Sequence, residues 1–258
     1  MLGKLIKYDF KNIFKFISVF YIITLVLSIL TRIFINTASP FFVFLIGRIL
    51  SGATISLFAN IIINCLMGLW IRSFARGLYG DESYLTHTLP VTKNQIYLSK
   101  IITAVAVSGI SLAVILICAF IAYYTQDRWQ YIKQLLLMNS SAKIIFLLVV
   151  ILFLEFINLI QCGFTGIILG HRQNTAKTGL SVLFAFIAET VSQLIVVGFT
   201  GIAAVFSTDF KQLFAQNPTL TQDLIYTVVT VYITVYFAII LFTLWLNIKL
   251  LNKGVDIQ

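Results

Sequence analysis

The sequence predicts an all-α membrane protein with six spans, and three observations carry that reading. Apolar runs of roughly 20 residues or more recur along the chain, long enough to cross a hydrocarbon layer about 30 Å thick. Charged residues make up only 10% of the total, where a soluble domain averages about 25%. The short alternating strands of a membrane barrel are absent. With 258 residues, 60% of them hydrophobic, six spans use most of the length and leave no room for a sizeable soluble domain.

Residues 1–16 are expected to be a basic amphipathic helix lying in the membrane interface. Leu2, Leu5, Ile6, Phe10, Ile13 and Phe14 fall on one side, and Lys4, Lys7, Lys11 and Lys15 on the other, toward anionic headgroups. Asp9 sits near the apolar side and interrupts the pattern. Continuation of the first span back to the N-terminus is the competing reading. The lysines are spread over an unusually long stretch and the apolar run after them is long enough to stay in the membrane, which argues against a cleaved signal peptide.

Residues 17–258 read as one six-span domain. The spans are expected at about 17–36, 43–71, 97–124, 144–170, 179–206 and 226–249. Several exceed the length of a perpendicular crossing, so tilt or extension beyond the bilayer is expected.

Lysine and arginine set the orientation. With the N-terminus inside, the inner segments hold twelve of them and the outer segments five, with Arg48 left inside the second span. That bias places both termini in the cytoplasm. It also accounts for the net charge of +9, which in a soluble protein would hint at nucleic acid. No nucleic-acid partner is expected.

The segment Gly80–Lys100 is then cytoplasmic, and its residues describe a docking piece. Asp81 and Glu82 suit the positive N-terminal end of a short helix. Ser83–Leu89 give about two turns with Leu85 and Leu89 on one face, and Pro90 stops the helix. Thr92 and Gln95 have the spacing of a capping box, so a new helix starts there and runs into the third span.

Outside, Trp129, Ile132, Leu135 and Leu136 have helical spacing and predict a surface helix within 125–143. Gly198, Gly201, the polar run 207–211, Asn217 and Pro218 predict that the fifth span breaks into an interfacial or re-entrant hairpin before the sixth.

Several polar residues fall inside spans. Glu155, Asn158 and Gln161 are spaced by three and form one candidate stripe; Glu189 and Gln193 share a face, as do Asn60 and Asn64. A charge at mid-membrane costs roughly 2.5 kcal/mol or more, so the glutamates should face protein or water. Two readings stay open for these residues: a polar translocation path, or interhelical hydrogen bonds that fix packing. Arg48 is expected to snorkel outward. Gly166 and Gly170 form a small-xxx-small pair that permits close helix packing. Cys65, Cys118 and Cys162 all lie in apolar runs and read as small core residues, with no disulfide framework and no metal spacing.

The layout resembles the ABC-2 type permeases, the membrane subunits of bacterial ABC transporters, similar in fold to the G-type exporters. The resemblance rests on Leu89-Pro90-Val91-Thr92 in a cytoplasmic loop after the second of six spans, on the basic and polar run to Tyr97-Leu98-Ser99-Lys100, and on the opening Met1-Leu2-Gly3-Lys4-Leu5-Ile6-Lys7-Tyr8-Asp9-Phe10-Lys11. His87 departs from it, standing where the family has an apolar or hydroxyl residue. The resemblance implies an N-terminal connecting helix, a coupling helix in the loop 80–100 between spans two and three, and an extracellular hairpin between spans five and six. It implies a second permease subunit and a separate ABC ATPase that docks on Glu82, Tyr84, Leu85, His87, Leu89 and Pro90. ATP and magnesium would sit on that partner, and this chain would hold no cofactor and be no enzyme. The run Gly170–Thr178 lacks the glycine that a phosphate loop needs just before its lysine, Lys177. Expected cargo is a hydrophobic or amphipathic peptide, antibiotic or lipid, exported across the bacterial plasma membrane, with lipid around the spans. A non-transporting scaffold or sensor of the same fold is the alternative. An intramembrane enzyme would need convergent acid, base or metal ligands, and both histidines, His87 and His171, lie in cytoplasmic segments.

Overall fold

The computed structural model describes residues 2–36, 41–80, 91–125, 129–130, 133, 139–173, 176–206 and 222–253. Among these, six helices are long and apolar enough to cross a membrane. The expected coupling stretch, with Glu82, Tyr84, Leu85, His87, Leu89 and Pro90, lies outside the described residues, as do Ile132, Leu135, Leu136 and the segment 207–221, where the hairpin is expected.

The chain divides into two compact units, Met1–Ile132 and Lys133–Gln258. The first holds α1 (Leu2–Asn36), α2 (Phe41–Met67), a π-helical segment (Gly68–Ala75), the short α3 (Arg76–Tyr79) and α4 (Lys93–Tyr123). The second holds α5 (Asn139–Gly170), α6 (Lys177–Phe206) and α7 (Gln222–Asn252).

The N-terminal amphipathic segment is not a separate element. Residues 2–16 and the first span share one helix of 35 residues, about 52 Å long against a hydrocarbon layer of about 30 Å. Nothing at the junction stops it: no proline or glycine falls between Lys4 and Asn36, Ser18 Oγ donates to the Lys15 carbonyl, and Phe16 packs edge-on against Phe20. Its buried line is Asp9, Ile13, Ile17, Tyr21, Thr24, Ser28 and Thr31, at spacings of three and four. The upper part of that line is hydroxyl-rich. Tyr21 bonds Ser111 of α4 at 2.6 Å and Thr31 bonds Thr54 of α2 at 2.7 Å. Small polar side chains of this kind let helices approach closely inside a bilayer, where apolar burial offers no preference over lipid.

The second span does not end near residue 71. α2 passes into the π-helical segment, in which Arg76 N–H reaches back five residues to the Ile71 carbonyl, and α3 carries the chain on to Gly80. Phe16 of α1 is held there from two sides: Gly68 lies against its ring edge, and the Arg72 guanidinium sits 4.5 Å from its centroid. α4 opens as the spacing of Thr92 and Gln95 requires. Gln95 N donates to Thr92 Oγ1 and Thr92 N donates to Gln95 Oε1, both at 3.4 Å. At the far end of α4, Trp129 is helical and packs edge-on against Phe120.

In the second unit α5 is central and packs on both α6 and α7. The small-xxx-small pair sets how closely. A Cβ on Gly166 would stand 2.5 Å from Ala185 Cβ and the Ser181 carbonyl, and one on Gly170 would stand 2.5 Å from the Ser181 nitrogen. α6 runs through Gly198 and Gly201 and ends at Phe206, the end expected for the fifth span, while the polar run 207–211, Asn217 and Pro218 of the expected hairpin lie outside the described residues. A Cβ at either position would meet nothing within 4 Å, so these glycines mark an open face. A glycine lowers helix propensity by about 1 kcal/mol, too little to end a 30-residue apolar helix. Arg172, just past α5, donates to the Leu250 carbonyl and so ties the end of α7 to the α5–α6 turn. The three cysteines are buried and form no disulfide.

Candidate functional site

Two sets of buried polar residues stand out, one in each unit. The first stands at the base of α4, just after residues 81–90. Lys100 Nζ lies 2.5 Å from Asp9 Oδ1 of α1, and both side chains are almost fully buried. Ser99 Oγ donates to Asp9 Oδ2 at 3.2 Å, so both carboxylate oxygens are engaged by α4. Gly77 of α3 backs this pair, for a Cβ there would lie 3.1 Å from Lys100 Nζ. Phe74 and Tyr97 close the same region, packed edge-on at 6.1 Å. The residue that interrupts the apolar side of α1 is therefore its anchor. The partners of Asp9, Ser99 and Lys100, are 90 and 91 positions away in the sequence.

The second set lies between the spans of the second unit. Asn158 Nδ2 of α5 donates to Ser192 Oγ at 2.9 Å and to Glu189 Oε2 at 3.4 Å. Gln193 Nε2 donates to Glu189 Oε1 at 2.9 Å, and Tyr236 OH of α7 donates to Gln193 Oε1 at 3.3 Å. Two donor chains, one from α5 and one from α7, thus end on the Glu189 carboxylate. They offset part of the cost of holding it between helices. Glu155 is half-buried.

The stripe read from Glu155, Asn158 and Gln161 does not act as one. Asn158 turns to α6, while Gln161 turns to α7. Gln161 Oε1 accepts from Thr243, its backbone carbonyl accepts from Asn247 at 3.3 Å, and Thr165 donates to Asn247 Oδ1 at 2.8 Å. A spacing of three falls short of a full helical turn, so successive members rotate toward different neighbours. The Gln161 amide nitrogen is buried with no partner among the described residues. Sequence reading missed Ser192, Tyr236, Thr243 and Asn247. Thr243 and Asn247, spaced by four on one span, were the available signal.

Asn60 and Asn64 are near each other as expected, Asn64 Nδ2 donating to the Asn60 carbonyl at 2.9 Å. They lie on α2 in the first unit, with Asn60 exposed. Arg48 is exposed. Among the described residues no three of His, Cys, Asp and Glu converge on a point where a metal ion could be held. No protein-family model matches this chain, and no similar curated protein or solved structure is found.

Proposed function

We propose that this chain is the membrane subunit of an ABC-2 type transporter. In this reading it couples ATP hydrolysis by a separate ATPase subunit to export of a hydrophobic or amphipathic substrate. The observation that carries the proposal is the construction of the base of α4. The candidate docking stretch, Glu82–Pro90, leads directly into a capped helix start. Within two turns that helix is clamped to α1 through Asp9 and Lys100. A load on the stretch would then move α4 and α1 together, as a lever needs, instead of being lost in a loop. The basic bias of the same end supports a cytoplasmic position for it.

The buried polar set of the second unit fits a path wall or a packing device. Activity separates the two, as it separates a transporter from a scaffold. The chain is reconstituted in vesicles with its ATPase, and ATP-dependent movement of a fluorescent amphipathic peptide is followed. Movement that stops on ATP removal supports the proposal. A complex that hydrolyses ATP and moves none of a panel of peptide, antibiotic and lipid probes supports the scaffold.

A further inference from the structure

The end of α1 remote from its lysines holds an arginine whose charge is only partly answered within the first unit. Arg32 is half-buried and lies within one turn of the end of its span, and Tyr124 caps the end of α4 beside it. The Arg32 guanidinium lies over the Tyr124 ring, 5.2 Å from its centroid, and Nη1 donates to the Ile121 carbonyl at 3.3 Å. Trp129 packs on the same ring at 6.3 Å and on Phe120 at 5.8 Å, and is itself exposed. We propose that Arg32 binds the phosphate of a membrane phospholipid headgroup, with Tyr124 and Trp129 as the wall of the site.

Three observations select that ligand. The first is charge. Ile121 belongs to the last turn of α4, and a helix C-terminus presents about half a negative charge. The guanidinium carries a full positive one, and among the described residues Arg32 joins no ion pair. An anion supplies the balance. The second is the donor set. A guanidinium has five N–H donors in one plane, and the contact with Ile121 uses one of them. The rest form the planar fork that takes a phosphate through two parallel bonds. Stacking on Tyr124 holds that plane in place, so little rotamer freedom remains to be lost on binding. The third is depth. The site lies where two spans end, the level at which tryptophan and tyrosine belts meet lipid headgroups. A soluble phosphate ester offers the same chemistry, but at that depth it competes with lipid phosphates packed at far higher local concentration.

The site does not depend on whether the chain transports anything. It is tested on the delipidated full-length protein in detergent, by following the thermal unfolding midpoint as dioleoylphosphatidylcholine is added. That lipid has no net charge, so the exposed lysines do not gather it. Phosphatidylcholine should raise the midpoint of the wild type, and dioleoylglycerol, which lacks the phosphate, should not. Arg32→Gln, whose amide can still donate to the Ile121 carbonyl, should need on the order of tenfold more lipid for the same rise. An equal response from Arg32→Gln overturns the proposal, as does equal protection by dioleoylglycerol. Equal protection by inorganic phosphate overturns the lipid as ligand. Destabilisation of the lipid-free protein by Asp127→Asn to the same extent as by Arg32→Gln also overturns it, by making the counter-ion a carboxylate of this chain. Because a variant could fail to fold, the unaltered protein is also loaded with a phospholipid carrying a diazirine in its headgroup. Photo-adducts concentrated on Phe120, Tyr124 and Trp129 support the site. Ile49 is exposed on α2 at about the same level, since Gly47 lies against Phe34. Adducts as frequent on Ile49 as on those three overturn it.

Discussion

Lys100 and Asp9 form a buried ion pair, Nζ to Oδ1 at 2.5 Å, that locks the first turns of α4 to α1. Removing one member of such a pair leaves an uncompensated buried charge, which costs about 3–5 kcal/mol, whereas exchanging both for apolar residues is often neutral. Asp9→Leu and Lys100→Met should therefore each lower the thermal unfolding midpoint in detergent sharply. The double variant should recover most of the loss. Two small and additive effects would mean the charges are solvated.

Gly77 should couple to that pair. Its missing Cβ leaves room for the Lys100 ammonium, which would otherwise stand 3.1 Å away. Gly77→Val should destabilise the wild type by about 1–3 kcal/mol through overpacking. It should cost much less in the Asp9→Leu/Lys100→Met background, since methionine bends away from the added bulk. Equal cost in both backgrounds would detach Gly77 from the ion pair.

Glycines in the spans should divide sharply. Gly166→Ala and Gly170→Ala each drive a methyl into the α6 backbone at 2.5 Å, so each should cost about 1–3 kcal/mol. Gly109→Ala in α4 meets nothing within 4 Å and should be neutral or stabilising by about 0.5–1 kcal/mol. Thermal unfolding in one detergent ranks all three.

Much of this fold was legible because its signals are local. Six apolar runs, the Thr92–Gln95 capping box and the Gly166–Gly170 spacing can each be read within a few residues, and each stands in the structure as read. The exceptions are tertiary. Asp9 looked like a flaw in an amphipathic face because its partner is remote. The N-terminal segment looked separable because its lysines mark an interface, while the helix hydrogen bonds continue across that mark. Gly198 and Gly201 by themselves do not interrupt α6, because a long apolar helix is cohesive across single glycines. The polar set was half legible: Glu189 with Gln193 follows from i, i+4 spacing, whereas Ser192, Tyr236 and Asn247 enter only through packing of three helices.

The donor chains that meet on Glu189 make its role testable. In Glu189→Gln the new amide N–H₂ would face one of two donors, Asn158 or Gln193, so one contact is lost. Interhelical contacts of this kind are worth about 0.6–2 kcal/mol in a membrane, and the stability loss should fall in that range. If Glu189 only fixes packing, ATP-dependent transport per folded molecule should stay at the wild-type level. A path residue would show altered transport at near-normal stability.

The central claim is that a separate ATPase grips the stretch before α4. The most direct measurement is recovery of that ATPase subunit with the affinity-purified chain, for the wild type and for Leu85→Glu and Leu89→Glu. A buried contact forced to accept a carboxylate loses several kcal/mol. The account predicts stoichiometric ATPase with the wild type and its loss from both variants, each still inserted in the membrane at the wild-type level. Undiminished ATPase recovery with both variants would contradict it.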